Sequence, residues 1–387
     1  MFRKFLFTGL TLILALAMTV PAFAKDNQGY PGAVYIMSNS VNGNQVLIYN
    51  RTDDGTLSYS SQVATGGLGS GVGITVPPDP LGSQNSLLLS ADGQWLFAVN
   101  AGSNEVSVFK VTASGLTLTD KVSSGGDYPV SLTFSHHLLY VLNVSGEGNI
   151  TGFRLNNNGR LSAIKNSTRS LQAATPANGS QPNILEAPGQ IGFSPNGDFL
   201  LITDKGGVSG DGKLLVFPVN KNGLPGDHPT ITHTAHAVPF SFTFDRFGHP
   251  VVVDASAGTV TSYAIGKDGN LTTLSTAVTG QAATCWIVNN TRFIFTDNTG
   301  SGTISAFSAA HNGSLTPVNA NGIVANTGSG TLPLDAAVSL NGQFIYSLTT
   351  GVGQISMFKA NANGSLTSLG TVGGYSPVSG FQGIAAR

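Results

Sequence analysis

The chain has 387 residues, 50 of them Gly and 18 Pro, with 10 % charged and 41 % hydrophobic side chains. Low charge with ample hydrophobicity excludes a disordered chain, and a composition rich in Gly, Ser, Thr, Asn and Val excludes a coiled coil. A formal net charge of −1 without a Lys/Arg run excludes a nucleic-acid partner, because phosphate binding needs clustered positive charge.

Residues 1–24 read as a secretory signal peptide. Arg3 and Lys4 form its basic start, Phe5 to Val20 its apolar run, and Ala22-Phe23-Ala24 its cleavage site before Lys25. No later segment reaches ~18 uninterrupted apolar residues. The expected product is a secreted or periplasmic chain, with no membrane span after cleavage, a short lead over 25–32 and a single domain over 33–387. Its one cysteine, Cys285, permits no internal disulfide. A chain of this size buries enough apolar surface to fold without one.

From residue 33 onward one unit repeats. A polar turn with Gly recurs at Gly55, Gly115, Gly159, Gly223, Gly269, Gly313 and Gly364. Each copy follows an alternating run that ends near an aromatic residue: Gln45–Tyr49, Glu105–Phe109, Asn149–Phe153, Lys213–Phe217, Thr259–Tyr263, Thr303–Phe307 and Gln354–Phe358. Period-two alternation marks strands, and Asn-Gly or Asp-Gly between such strands marks a hairpin. Upstream of the hairpins lie further strand pairs, such as Ser86–Ser90 with Trp95–Asn100 and Gln190–Ser194 with Phe199–Asp204. One unit is therefore four antiparallel strands, the size of a propeller blade.

The N-terminal part, Ala33 to Val63, supplies three strands of a blade, and Phe381 to Ala386 supplies the innermost fourth. The predicted fold is all-β: a seven-bladed β-propeller of four-stranded antiparallel blades, closed by pairing the N- and C-terminal strands in one blade. Two β-sandwiches are the competing reading, against which the repeat runs without a linker. Long insertions at Gly66–Gln84, Asn166–Ala187 and Gly206–Gly212 are placed on one face of the disc, where function concentrates.

The blade pattern and the repeated Asn/Asp-Gly-x-Leu turns resemble the seven-bladed lactonase family, which includes 6-phosphogluconolactonase-like and carboxymuconate-lactonising proteins. Segments such as Leu89-Ser90-Ala91-Asp92-Gly93-Gln94-Trp95 and Gly192-Phe193-Ser194-Pro195-Asn196-Gly197 carry the resemblance, which extends over residues 33–387. It implies opening or closing of a lactone ring on a small carboxylated or sugar-derived substrate. The family's Pro-His-x-His, followed one strand later by Asp-x-Gly, reads here Pro188-Gly189-Gln190-Ile191 and Asp204-Lys205-Gly206. Both histidines are absent.

Five residues are candidates for catalysis. Glu186 with Lys205 would activate a water and polarise a carbonyl, with Gln190 and Asp204 beside them and His236 as a loop base. The competing reading of Glu186 and Lys205 is a surface ion pair. Aligned inner strands put Ser86, Ser131, Gln190, Ser241, Cys285 and Asp335 at equivalent positions. The second strands end at Asn39, Asn100, Asn143, Asp204, Asp254 and Asp297. Asn100, Asn143, Asp254, Asp297 and Asp335 are the candidate ligand-binding ring, of a donor type that suits Ca²⁺. Each residue has a competing role as a cap on its own turn. His136, His137, His249 and His311 are placed in solvated turns of the opposite face. Cys285 reads as a core residue, because no base adjoins it. The expected partner is a small molecule at the mouth or another protein, and the expected state is a monomer. The alternative to an enzyme is a non-catalytic binding propeller, and the two part on whether the mouth holds an acid–base pair or only amides and hydroxyls.

Overall fold

The computed structural model describes residues 32–387 except 174, 176, 179, 180, 208 and 209; the expected signal peptide and most of the expected lead lie outside the described residues. Among the described residues seven antiparallel blade sheets follow one another along the chain, with a two-stranded ribbon, Ala177–Asn178 and Gln181–Pro182, between blades 3 and 4. From the centre outward, blade 1 consists of Ile384–Ala386, Gly32–Met37, Gln45–Arg51 and Leu57–Ala64. Val34 faces Ala386 and Ile36 faces Ile384, and Arg387 N donates to Ala33 O at 2.7 Å. The ends of the described chain thus share one blade and close the ring.

Blades 2 to 7 begin with the inner strands Leu87–Leu89, Pro129–Ser135, Pro188–Phe193, Pro239–Phe244, Thr284–Asn289 and Pro333–Val338. The outer strands of blades 3 and 6 are broken, into Leu161–Ala163 with Arg169–Ser170 and Leu315–Pro317 with Ile323–Asn326. The core lies between blades. Phe97 meets Phe134 at 4.8 Å between ring centroids, Tyr140 meets Phe193 at 5.7 Å and Phe240 meets Trp286 at 4.8 Å. Aromatic contacts of this kind add to their area burial.

All seven turn glycines have positive φ, from 75° to 121°, the conformation that L side chains resist. At Gly55 a Cβ would also lie 2.2 Å from the Phe344 ring, so the residue is fixed by packing as well. The bared carbonyls serve the neighbouring blade: Tyr140 Oη donates to Gly223 O at 2.5 Å and Tyr346 Oη to Gly55 O at 2.9 Å.

Four inner strands open with Pro, at a sheet edge that needs no ladder donor. In blades 3, 4 and 5 a register shift follows, between Pro129 and Ser131, Pro188 and Gln190, and Pro239 and Ser241. In blade 6 it falls between Thr284 and Trp286. Trp286, not Cys285, is therefore equivalent to Ser131, Gln190 and Ser241. Asn298, not Asp297, ends the second strand opposite Thr284. Without a Pro landmark the sequence alignment of this blade is off by one, and one residue turns a side chain to the other face.

Candidate functional site

The inner strands leave one backbone edge facing the central channel. Those N–H and C=O groups need partners, and the insertion Gly66–Gln84 supplies many of them. Its last residues enter the channel and bond to four blades. Gln84 clasps Ile287 of blade 6, donating to its carbonyl at 2.7 Å and accepting from its N–H at 3.0 Å. Ser83 O accepts from Trp286 Nε1 at 2.9 Å and from Gln382 Nε2, beside blade 1, at 2.8 Å. Ser83 Oγ donates to Val130 O of blade 3 at 2.8 Å, and Lys205 Nζ of blade 4 donates to Gly82 O at 2.6 Å. The segment is an internal plug. Above it, Gln181 of the second insertion donates to Ser70 O and Val72 O and accepts from Ile74 N, at 2.8, 3.0 and 3.0 Å. The first two insertions therefore meet on one face, as their spacing predicts.

The plug seals a charged cluster. Lys205 is fully buried and Asp79 is 3 % exposed. Asp79 Oδ1 accepts from Leu81 N at 3.1 Å and Gly82 N at 2.7 Å. Burial lifts the Asp79 carboxyl above its ordinary range and lowers the Lys205 ammonium below its own, while each one's charge opposes the other's shift. Lys205 also sits 4.8 Å over the Phe240 ring, where the ring face attracts a cation. Burial pushes Asp297 up to about 7, opposed by the Ser347 hydroxyl that donates to it at 2.5 Å. Asp335 is driven well above the usual carboxylate range by burial, and the neighbouring Asp297 and Asp79 charges add to the shift. One of its oxygens accepts from Ala336 N at 2.9 Å, and the other has no partner among the described residues. Burial lifts the Cys285 thiol to about 12, which suits a core residue rather than a nucleophile.

The expected Glu186–Lys205 pair does not form. Lys205 is not on the surface, and its ionised neighbours are Asp79 and Asp204. Glu186 is half-buried and accepts from Asn183 Nδ2 at 2.8 Å. Gln190 is committed to structure: it donates to Phe242 O at 3.0 Å and accepts from Phe242 N at 2.7 Å. Asp204 is buried, with its carboxyl raised by burial against the pull of Lys213 and Lys205. His236 is exposed. Where the family motif carries its first histidine, a Cβ on Gly189 would lie 2.2 Å from Phe240 O and 3.3 Å from Lys205 Nζ. The plug's lysine and the next blade occupy the room that side chain would need.

The candidate ring divides in the same way. Asn100 donates to Ser107 Oγ at 2.8 Å and accepts from Thr65 Oγ1 at 2.6 Å, and Asn143 donates to Asn149 Oδ1 at 2.9 Å. These are local braces. Asp254 is lifted to about 7 by burial, and its Oδ1 lacks a partner among the described residues. Asp297 turns towards blade 7. Among the described residues no group of three or more His, Cys, Asp or Glu is placed to hold a metal ion. His249 is not simply solvated: its Nδ1 lies 2.9 Å from the buried Asp245 carboxylate. Sequence reasoning missed Asp79, Gln84, Trp286 and Gln382 as partners. Its one signal was Pro77-Pro78-Asp79-Pro80 inside a long insertion.

Open volume lies elsewhere. The channel below the plug holds a cavity of about 340 Å³ walled by Gln84 and Asn85 and by inner-strand residues including Phe193 and Phe244. The insertion face carries two more, of about 570 and 410 Å³, which share Val41, Ser70 and Gln181. Among the described residues, the only carboxylate or basic side chain lining any of the three is Asp127, in the smaller upper one.

The sequence model described as "Lactonase, 7-bladed beta-propeller" matches residues 73–175, 146–288 and 251–380. A search of curated protein sequences finds no match. Among solved structures, the chain is similar to a putative 6-phosphogluconolactonase from Bacteroides fragilis, with 17 % identity, 94 % of this chain and 100 % of that chain covered, and TM-score 0.69. It is also similar to the Pseudomonas aeruginosa periplasmic gluconolactonase PpgL, with 17 % identity, 91 % and 98 % covered, and TM-score 0.67. A streptogramin B lyase is similar at 14 % identity, 81 % and 89 % covered, and TM-score 0.53. At such identities the likeness to solved structures establishes the fold alone, a scaffold that hosts many activities. The family model matches far more than half of the chain, and the chain belongs to the seven-bladed β-propeller lactonase family.

Proposed function

We propose that this protein is a ligand-binding member of the lactonase family, which holds a small uncharged lactone or a similar oxygen-rich molecule on its insertion face without turning it over. The observation that supports this reading is the separation of chemistry from access. Lys205, Asp79, Asp297 and Asp335 are 0–3 % exposed, whereas the channel cavity and the larger upper cavity are lined, among the described residues, by amides, hydroxyls and apolar groups. Acid–base catalysis needs the proton-transfer group within hydrogen-bond reach of the substrate. The mature form of this reading is an exported monomer beginning at Lys25, which N-terminal sequencing of the exported protein checks.

A second reading, opening or forming a lactone ring on a small carboxylated or sugar-derived substrate, is favoured by the Asp79–Lys205–Asp297–Asp335 cluster. Displaced protonation equilibria of this kind concentrate at active sites. Calorimetric titration with δ-valerolactone, alongside pH-stat proton release with Ca²⁺ and with chelator, separates the two. Binding with no release above the uncatalysed rate is the expected result. Release that disappears in an Asp79→Asn, Lys205→Met double variant would establish the second reading and overturn the first.

A further inference from the structure

The larger cavity of the insertion face has an unusual wall. Val41, Val72 and Ile74 line it, and they are 54, 44 and 46 % exposed. Phe381 completes the apolar side. Among the described residues, no Asp, Glu, Lys, Arg or His lines this cavity of about 570 Å³. The patch is continuous: a Cβ on Gly71 would lie 3.0 Å from Val41 Cγ1, and one on Gly380 would meet Gly71 O at 2.4 Å and Val72 Cα at 3.2 Å. Exposed aliphatic side chains gathered in a concave site of this size mark a binding surface.

Most polar groups at the rim are already engaged. The Gln181 carboxamide holds Ser70 O, Val72 O and Ile74 N, and Ser379 Oγ donates to Ser376 O. Two hydroxyls differ: Ser70 Oγ is buried with no partner among the described residues, and Ser40 Oγ, on a half-buried residue, accepts from Asn42 N at 3.2 Å and keeps its proton to donate. The site therefore offers an aliphatic wall, an accessible hydroxyl donor at Ser40 and, among the described residues, no countercharge. A phosphate or carboxylate brought here would lose hydration without a cation to replace it.

We infer that this cavity binds an uncharged lactone or ester bearing an alkyl chain, with the chain against Val41, Val72 and Ile74 and the carbonyl oxygen accepting from Ser40. The inference rests on the ligand-binding reading above and narrows its ligand class away from sugar acids and sugar phosphates. The wall carries the discrimination, because each methylene taken out of water adds affinity, while the ring and its carbonyl are common to short and long lactones. A small ligand fits better than a second copy of the chain, because the apolar side chains line a hollow instead of a flat face.

The test titrates the full mature protein with two probes that share one ring, δ-valerolactone and δ-decalactone, and with 6-phosphogluconate as an anionic control. Expected is about 10-fold or tighter binding of δ-decalactone over δ-valerolactone, abolished in an Ile74→Asp variant and in a Val72→Asp variant, with no binding of 6-phosphogluconate. Both positions are exposed, so each variant is expected to fold, and its melting temperature checks that. Equal affinity for the two lactones overturns the inference and leaves the ligand-binding reading standing. Absence of binding by either lactone overturns both. Tighter binding of 6-phosphogluconate overturns the uncharged class. If light scattering shows a dimer that Ile74→Asp dissociates, the patch is an interface between copies and the inference fails.

Discussion

The two halves of the insertion Gly66–Gln84 invert the usual rule for burial. Its first half shows Leu68, Val72, Ile74 and Val76 to solvent, at 38–46 % exposure. Its second half hides Asp79, Ser83 and Gln84, at 0–5 % exposure. Buried polar groups and gathered exposed apolar ones are the informative exceptions in a folded chain. The second half lies inside because the inner strands of a propeller present unpaired backbone to the channel, and Gln84 and Ser83 complete it. The first half has no such task. Its apolar side chains border a hollow, and their stabilising partner has to be something other than this chain.

The sharpest way to break this comparison is to make the buried half carry an unpaired charge. Lys205→Met leaves the Asp79 carboxylate without its cation in a site from which water is excluded. The two groups feel each other's charge without forming a contact ion pair, and leaving one buried charge uncompensated in this way costs up to about 3–5 kcal/mol. The expected loss of unfolding free energy in urea is of that size, and Asp79→Asn in the same background restores most of it. A loss below about 1 kcal/mol would mean that the plug is open to water, and the separation of chemistry from access would fall with it.

The next effect in size is a pH dependence. Burial lifts the Asp297 carboxyl to about 7 in the fold, against about 3.9 for an unperturbed aspartate, so between those values the native state holds a proton that the unfolded chain releases. Stability then falls as pH rises through this window, at a slope set by the difference in bound protons. Asp254 acts in the same direction, also lifted to about 7. Asp297→Asn keeps the oxygen that accepts from Ser347 and removes the charge. It is expected to raise stability at pH 8 by about 2–4 kcal/mol and to change it little at pH 4. Thermal melts of both proteins across pH 4–8 check the sign. A wild-type protein that grows more stable over this range would contradict the buried, protonated state.

These two cases also mark how far the sequence could be read. The turn glycines and the alternating strands are local signals, the closing pair of termini follows from counting strands over the repeat, and each is recovered in the fold. The plug is not local. Ser83 reaches Trp286 across 203 positions of sequence and Gln382 across 299, and no spacing rule connects them. Lys205 carries no mark of burial in its own neighbourhood either: Asp204-Lys205-Gly206 reads as an exposed strand end until Gly82 is brought to it. In blade 6, Thr284 replaces the Pro that opens its neighbours. That exchange removed the landmark and moved Asp297 and Cys285 out of register. Insertions on one face were legible; which half of an insertion faces inward depends on the edges it meets.

The smallest expected effect concerns the residue that sequence reasoning ranked first for catalysis. Glu186 accepts from Asn183 three residues earlier, and the cation intended for it is held by the plug instead. Its amide analogue keeps an oxygen for that bond. Glu186→Gln is therefore expected to change unfolding free energy by less than about 0.5 kcal/mol, as at surface positions away from special features, and to leave lactone affinity unchanged. Equilibrium unfolding and the same lactone titration measure both. A large drop in affinity with stability intact would place Glu186 at the ligand after all. The accessible site would then extend from the aliphatic hollow towards blade 4, and the line drawn between the two halves of the insertion would have to move.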